Sequence, residues 1–321
     1  MAGQEAVGFE APIVALEGKI AALRQFAADK ELDLSDQIEK LSAQLEKLID
    51  DTYSKLTPWE LVQVARHRDR PYTLDLLGLI CDEFIEMHGD RLSGDDPAIV
   101  GGLARLNGRS IVVAGHQKGR ETKEKLRRNF GMPHPEGYRK ALRLAKLAEK
   151  FRLPLVFFID TPGAYPGIGA EERGQGEAIA FNLRELSVLR TPIVACVIGE
   201  GGSGGALGIG IADRILILQY AYYSLISPEG CAAILWKSQE HAPQAAEALK
   251  LTPQDLLDFG AVDEILEEPP GGAHRDHAGA ARLIRERLLA HLDELAEIDP
   301  DTLVKQRYDR FRRLGVHGED S

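Results

Sequence analysis

A glycine-rich segment at residues 198–210 constrains the fold of this chain most strongly, because seven of its thirteen residues are glycine. The segment follows an apolar run at residues 192–198 that has the composition of a buried strand. Glycine allows positive φ angles and lets another group approach the main chain closely. A helix that begins in such a segment has free N–H groups in its first turn. The segment therefore predicts a site where main-chain N–H groups stabilise an anion.

One interpretation of this segment is a dinucleotide-binding turn. Gly199, Gly201 and Gly204 form the pattern G-x-G-x-x-G after a predicted strand and before a predicted helix. A dinucleotide fold also needs an acidic residue at the end of the next strand, where it binds the ribose. That strand, at residues 215–218, is followed by Gln219 and lacks the acidic residue. We therefore interpret the pattern as accidental.

A second interpretation is the nucleophile turn of a serine hydrolase, G-x-S-x-G, formed by Gly201, Ser203 and Gly205. Acids and histidines in an order that allows a catalytic triad follow at Asp213, Asp258, Asp263, His274 and His277. We favour the interpretation that Ser203 is a small residue tolerated between two pairs of glycines.

A GTPase is excluded because the chain has no phosphate-binding loop of the form G-x-x-x-x-G-K followed by serine or threonine. Residues 160–163, Asp-Thr-Pro-Gly, follow the apolar run 155–159 and would suggest a GTPase switch only if such a loop preceded them. They need another explanation.

The composition indicates one large or two modest globular domains, with a formal net charge of −11 and 44% hydrophobic residues. Cys81, Cys196 and Cys231 are odd in number, far apart and set among apolar neighbours, so we expect them to be reduced and buried. No apolar run approaches ~18 residues, the length that spans a bilayer, and residues 1–5 lack the features of a signal peptide. These observations predict a cytoplasmic protein without a membrane segment.

The first ~90 residues are predicted to be mainly helical. Apolar residues spaced by three and four predict two amphipathic helices, with Ile13, Leu16, Ile20 and Leu23 in the first and Ile38, Leu41, Leu45 and Leu48 in the second. These helices either pack only on each other or brace a partner subunit, and the sequence leaves both open. Thr57 with Glu60 predicts a capping box, and Thr73 is predicted to cap a helix that runs to about Met87.

Strands and helices alternate after this region. Asn107-Gly108, between apolar runs at residues 99–106 and 111–114, predicts a β-hairpin. Further strands are predicted at residues 155–159, 193–198 and 215–218, a helix at 176–189, a capped helix from Thr252 to Gly260, a short strand at 261–266 and two polar helices at the end. This alternation predicts a parallel sheet with crossover connections. Residues 269–272, Pro-Pro-Gly-Gly, predict a surface loop.

A basic segment lies at residues 118–152, where twelve Lys or Arg and four Glu give a net charge of +8. Such a density of charge attracts phosphates, either of nucleic acid or of a nucleotide-like cofactor. The alternative is a solvated helix face with ordinary ion pairs between neighbouring turns. We give the second interpretation less weight for residues 118–128, which follow directly on a predicted strand.

Six motifs occur in order along the chain: Gly115-His-Gln-Lys-Gly-Arg-Glu-Thr-Lys123, Arg128-Asn-Phe-Gly-Met132, Asp160-Thr-Pro-Gly-Ala-Tyr-Pro-Gly167, Glu171-Glu-Arg-Gly174, Gly199-Glu-Gly-Gly-Ser-Gly-Gly205 and Ser227-Pro-Glu-Gly230. Together they resemble the carboxyltransferase alpha subunits of multi-subunit acetyl-CoA carboxylases. The resemblance runs from the N-terminal to the C-terminal helices. Several long motifs in the right order are far more specific than any one of them.

The resemblance implies an α/β fold of the crotonase superfamily, with repeated ββα units wound into a superhelix, an N-terminal helical hairpin and C-terminal helices. We accordingly predict an N-terminal helical region at residues 1–90, a crotonase-like carboxyltransferase domain at 91–296, and a C-terminal helix and tail at 297–321.

The resemblance also implies that the chain holds one half of a split active site. The partner beta subunit in this family carries a related domain and a four-cysteine zinc ribbon. We therefore expect zinc only on the beta subunit and no metal site on this chain, which has no C-x-x-C pair. The other expected partners are the biotin carboxyl carrier protein, biotin carboxylase and acetyl-CoA, whereas nucleic acid and membranes are not expected.

In this family, carboxybiotin on the carrier protein delivers its carboxyl group to the methyl carbon of acetyl-CoA, giving malonyl-CoA in the first committed step of fatty acid synthesis. The enolate oxygen of the thioester is assigned to the beta subunit and the ureido oxygen of biotin to the alpha subunit. By motif position, the N–H groups of Gly204 and Gly205 are the expected catalytic donors to the ureido oxygen. Orientation, exclusion of water and charge stabilisation then suffice without a triad or a metal.

The resemblance places further residues at the substrate. Gly201 and Gly202 belong to the same segment, and Gly163, Ala164 and Tyr165 follow a predicted strand where α/β folds place ligand loops, so we expect them at the wall of the biotin cleft.

Charged residues of the motifs suit more than one role. Lys118 and Arg120 are expected to contact CoA phosphates or the acidic carrier protein, with a solvated face as the alternative. Glu200 and Glu229 suit a general acid and base, as in a hydratase, but each lies in a glycine-bearing turn, and we favour a structural role.

Three functions therefore compete. They are a carboxyltransferase subunit, a stand-alone crotonase-type acyl-CoA enzyme or serine hydrolase that uses Ser203, and an RNA-binding module built on the basic segment. Only the first accounts for the whole chain.

Overall fold

The structure of the protein is a computed structural model that describes residues 8–315. The expectation that residues 1–5 are not a signal peptide, and the part of the predicted tail after residue 315, lie outside these residues. Among the described residues, no helix combines the length and the apolar character that a membrane span requires.

Helices occupy both ends of the described chain and connect most of the strands. They are α1 (Ala11–Lys30), α2 (Ser35–Tyr53), α3 (Pro58–Ala65), α4 (Thr73–Ile80), α5 (Thr122–Arg127), α6 (Pro135–Phe151), α7 (Ile168–Glu172), α8 (Gln175–Ser187), α9 (Ser203–Leu207), α10 (Pro228–Trp236), α11 (Ala242–Ala248), α12 (Pro253–Asp258), α13 (His277–Ala296) and α14 (Pro300–Arg312).

The strands form one mixed sheet in the order β1-β2-β3-β4-β5-β6-β8, and β7 pairs with the end of β5. They are β1 (Glu83–Glu86), β2 (Ile99–Leu106), β3 (Arg109–His116), β4 (Leu155–Thr161), β5 (Ile193–Gly202), β6 (Arg214–Leu218), β7 (Tyr222–Ser224) and β8 (Glu264–Leu266). The first three strands are antiparallel and the later pairs are parallel. Every residue of β4 and β5 is buried, which explains the continuous apolar runs at residues 155–159 and 193–198.

Local signals account for several boundaries. Asn107 and Gly108 have φ angles of 51° and 76°, as the tight turn between β2 and β3 requires. The predicted capping box of Thr57 and Glu60 begins α3, and the predicted cap at Thr252 begins α12. These predictions are confirmed.

The predicted helix from Thr73 to about Met87 is wrong in its cap and its length. Tyr72 is the N-cap, and the Thr73 hydroxyl donates to the carbonyl of His116 at 2.6 Å. α4 ends at Ile80 because the chain becomes extended and then pairs with β2 as β1. The sheet thus begins before residue 91, inside the segment predicted to be helical.

The N-terminal hairpin packs on the rest of the chain as well as on itself. Ile13, Ile49 and Tyr53 are buried in one cluster with Val64 and Tyr220. The interpretation that the two helices pack only on each other is therefore wrong.

Two smaller expectations also need correction. Pro269, Gly271 and Gly272 are buried, because the predicted surface loop lies beneath α2. The three cysteines are free thiols, but only Cys196 is fully buried, and Cys81 and Cys231 are half-buried.

Candidate active site

The glycine-rich segment divides into the end of a strand and the start of a short helix. β5 continues through Gly202, and its last residues pair with β4 and β7, so α9 begins only at Ser203. The first glycines of the segment therefore do not lie in the expected glycine-bearing turn, because neighbouring strands pair with Gly201 and Gly202. The G-x-G-x-x-G pattern therefore lies mostly in a strand and is not a dinucleotide-binding turn.

Glycine is required in this segment because it lies directly against the main chain of the loop after β4. A Cβ on Gly202 would lie 2.3 Å from the carbonyl O of Pro162, and one on Gly205 would lie 2.3 Å from the carbonyl C of Gly163. Both distances are shorter than van der Waals contact. The two segments therefore meet main chain to main chain.

Ser203 forms the corner between β5 and α9. Its φ angle of 52° is in the left-handed region, which is uncommon for residues other than glycine, and its side chain is exposed. Gly204 and Gly205 follow in the first turn of α9, where a helix supplies no acceptor for N–H groups. Neither N–H donates a hydrogen bond to another described residue. Two donors are therefore available to a ligand.

The loop after β4 places the predicted cleft residues beside these donors. The Thr161 hydroxyl shapes the loop by donating to the carbonyl of Gly163 at 2.7 Å and accepting its N–H at 3.1 Å. Ala164 lies against Gly205, and Tyr165 donates its N–H to a carbonyl in the segment before α6. Gly163, Ala164 and Tyr165 therefore lie in the same region as the glycine segment.

Lys118 lies next to the site, and its side chain is 13% exposed. Its Nζ is 2.7 Å from Oδ1 of Asp160 and 2.6 Å from Oε2 of Glu200, and the N–H of Glu200 donates to the same Oδ1 at 2.9 Å. We call these three residues the ion-pair cage. Because two carboxylates bind this ammonium group, the structure gives no support to its predicted contact with CoA phosphates.

Arg66 extends the cage toward solvent and was missed by the sequence analysis. Its Nε donates to Oε1 of Glu200 at 2.7 Å, and its guanidinium also binds Glu229. The hydroxyl of Tyr222 donates to Oε1 of Glu200 at 2.9 Å. Glu200 thus accepts three side chains, which agrees with the structural role favoured for it. No local pattern around Arg66 signals these distant contacts.

Electrostatics favour the charged forms of Glu200 and Lys118, whereas burial raises the pKa of Asp160, the third member of the cage. Burial alone would raise the pKa of Glu200, but Lys118 and Arg66 lower that pKa to about 2. Burial also opposes charge on Lys118, yet the two carboxylates raise its pKa above the usual value. Burial lowers the pKa of the neighbouring His116 to about 3, so this imidazole is neutral.

Arg120 is engaged by other residues of the chain. It is paired with Asp75 at 2.7 Å, stacks over the ring of Tyr72 at 4.6 Å and donates to the carbonyl of Arg70. Because its guanidinium already has these partners, the structure gives no support to the predicted contact of Arg120 with phosphates or carrier protein.

Other cations of the basic segment are also engaged within the chain. Lys140 is fully buried with its Nζ 2.7 Å from Oδ1 of Asp95, and Arg139 binds Asp90 at 2.9 Å. The segment is therefore not one continuous basic surface, which argues against the RNA-binding interpretation.

Comparison with known proteins assigns the family. Residues 6–315 match the model of the family described as acetyl co-enzyme A carboxylase carboxyltransferase-like. The chain belongs to this family. An acetyl-coenzyme A carboxylase carboxyl transferase subunit alpha from Geobacter metallireducens is 55% identical over 99% of this chain and 100% of its own length. The corresponding protein from Methylococcus capsulatus is 56% identical over 97% of each chain.

Solved structures share the fold of this carboxyltransferase-like chain at low identity. A transcarboxylase 12S chain matches with a TM-score of 0.56 and 21% identity, over 69% of this chain and 41% of its own length. A chain of a Pseudomonas malonate decarboxylase hetero-tetramer matches with a TM-score of 0.56 and 17% identity, over 69% of this chain and 91% of its own length. The predicted crotonase-like α/β fold is confirmed.

The serine hydrolase interpretation fails on geometry in this family member. No hydrogen bond connects the Ser203 hydroxyl to an acid or a histidine among residues 8–315. His274 lies with Glu10 in a buried cluster under the N-terminal hairpin, and His277 contacts the carbonyl of Asp69. The remaining predicted partners are engaged elsewhere, as Asp213 binds Arg307, Asp263 binds Arg310 and Asp258 binds Gln254.

Proposed function

We propose that the chain is the alpha subunit of the carboxyltransferase component of an acetyl-CoA carboxylase. In this proposal it takes part in moving the carboxyl group of carboxybiotin, carried on a partner protein, to acetyl-CoA to give malonyl-CoA. Membership of the family and full-length similarity to proteins named as alpha subunits support the activity. The observation that carries the mechanism is the pair of N–H groups on Gly204 and Gly205 that have no acceptor within the described chain.

The donor set suits the ureido group of biotin. Loss of the carboxyl group leaves negative charge on the ureido oxygen, and a planar oxyanion is stabilised by N–H donors held in advance at hydrogen-bond distance. Main-chain N–H groups in the first turn of a helix also carry the favourable end of the helix dipole, although α9 is short. Gly204 and Gly205 therefore act by stabilising charge and take up no proton.

The surrounding residues orient the substrate and exclude water. Gly163, Ala164 and Tyr165 form one wall of the proposed biotin cleft. Gly202 lies directly against Pro162, just before that wall, and Gly201 pairs with Thr161. A fixed position for the reacting groups removes much of the entropic barrier to transfer between two large substrates.

The remainder of the active site is proposed to come from partners. A beta subunit with a zinc ribbon would supply the site for the thioester enolate, and the biotin carboxyl carrier protein and biotin carboxylase would complete the complex. The three free thiols on this chain support a reducing compartment such as the cytoplasm.

Reconstitution tests this proposal. The purified chain alone is expected to give no carboxylation of free biocytin by malonyl-CoA, because half of the site is absent. Addition of the zinc-bearing beta subunit is expected to restore the activity. Full activity from the single chain, or no activity from a well-assembled pair, would contradict the proposed function.

A further inference from the structure

The ion-pair cage connects the two segments of the candidate active site. Asp160 lies three residues before Gly163, and Glu200 lies four residues before Gly204. The ammonium group of Lys118 contacts both carboxylates, and the N–H of Glu200 donates to Asp160. One lysine on a third segment, just after β3, therefore holds together the ends of β4 and β5.

This connection lies where β5 is in close contact with Asp160 and with the loop after β4. A Cβ on Gly199 would be 2.6 Å from Oδ1 of Asp160, so the carboxylate rests directly on the main chain of β5. Gly202 and Gly205 make similar approaches to the loop after β4. The placement of the N–H donors relative to that loop thus depends on how closely β4 and β5 are held at this end.

Lys118 is the group that makes this close approach possible. Asp160 and Glu200 are both buried, and without a cation between them their charges would repel each other at short range. Arg66 binds only the other oxygen of Glu200 and contacts no oxygen of Asp160. Within the described residues, Lys118 is the cation bound by both carboxylates.

We propose that Lys118 is a positioning residue for carboxyl transfer, which fixes the loop after β4 against Gly204 and Gly205 so that both N–H donors meet the charge developing on biotin. This inference rests on the proposed function. Lys118 touches no substrate in it, in contrast with the phosphate contact expected from the sequence.

The experiment replaces Lys118 with methionine and compares it with Lys140→Met. Lys140 is a control because it is also an ion-paired lysine with little exposure, but its partners are Asp95 and the carbonyl of Ile99 and not residues of the glycine segment. A second variant, Lys118→Met with Glu200→Gln, removes the repulsion and protects against misfolding. All proteins are assayed as complexes with the beta subunit, below their thermal midpoints.

We expect both Lys118 variants to lower kcat by about 10- to 100-fold while KM for biocytin and malonyl-CoA stays within about twofold, because misplaced donors affect developing charge more than binding. Lys140→Met is expected to lower the thermal midpoint but keep kcat. Amide hydrogen exchange over residues 199–207, read by mass spectrometry, is expected to accelerate only in the Lys118 variants.

A normal kcat in either well-folded Lys118 variant overturns the inference, as does an equal loss of kcat in Lys140→Met. The same experiment separates this failure from that of the proposed function. If the wild-type complex transfers no carboxyl group at all, the function is wrong. If the wild type is active and only the contrast between the two lysines is missing, the positioning role is wrong.

Discussion

Replacing Gly204 with proline is expected to lower the turnover of the assembled transferase by roughly 10²- to 10³-fold, the usual effect of removing one oxyanion-hole donor. Proline has no N–H, and at this position in the first turn it removes no hydrogen bond within α9. Biocytin carboxylation by the complex with the beta subunit measures the effect.

Gly204→Ala is the matched control. A Cβ at this position meets only Cδ1 of Ile179 at 3.6 Å, an ordinary contact, so alanine keeps the N–H and fits the available space. Ser203→Ala removes the only hydroxyl in the turn and is also expected to retain most activity. Circular dichroism and sedimentation must first show that Gly204→Pro folds and assembles, because proline disfavours the left-handed conformation of Ser203 before it. Equal turnover in the proline and alanine variants would refute the donor role.

Gly205 is a less selective position for the same test. A Cβ on residue 205 would overlap the main chain of Gly163. Even alanine would therefore force the glycine segment and the loop after β4 apart. Gly205→Val is accordingly expected to lose activity by displacement as well as by crowding of biotin. Its loss alone would not distinguish a missing donor from a moved loop.

The sequence predicted features that depend on neighbours in the chain. Asn107-Gly108 favours a specific tight turn, and it predicted the hairpin of β2 and β3. Continuous apolar runs are typical of strands that are buried on both faces of a sheet, and they predicted β4 and β5. The proximity of residues 160–167 to the glycine segment followed from parallel topology, because adjacent parallel strands end at the same edge of a sheet.

The sequence did not predict the partners of charged residues. Lys118 and Glu200 are 82 positions apart, and Arg66 and Glu200 are 134 positions apart. Counting charges in residues 118–152 identified a basic segment but could not tell which cations point inward. Lys118 and Arg120, which were expected to bind phosphates or carrier protein, instead pair with carboxylates of the same chain.

Tertiary contacts also alter the role of the predicted C-terminal region. Arg307 in α14 is buried and binds Asp213 through two nitrogens at 2.8 and 2.7 Å. Its remaining N–H groups donate to the carbonyls of Leu186, Leu189 and Thr191. The helix after residue 297 is therefore fixed to the starts of β5 and β6, and we expect it to fold with the sheet.

Arg307→Met is expected to lower the free energy of unfolding by about 3–5 kcal/mol, because it leaves the buried carboxylate of Asp213 without its cation. Urea denaturation measures the change. Arg313→Met is the control, since its exposed guanidinium donates only to the carbonyl of Asp309 and its loss is expected to cost under ~0.5 kcal/mol. Arg307→Met with Asp213→Asn is expected to recover part of the stability, as the unpaired charge is then gone. If Arg307→Met unfolds like the wild type, or if α14 melts separately without changing the main transition, the helix is an independent tail and the boundary at residue 297 is correct.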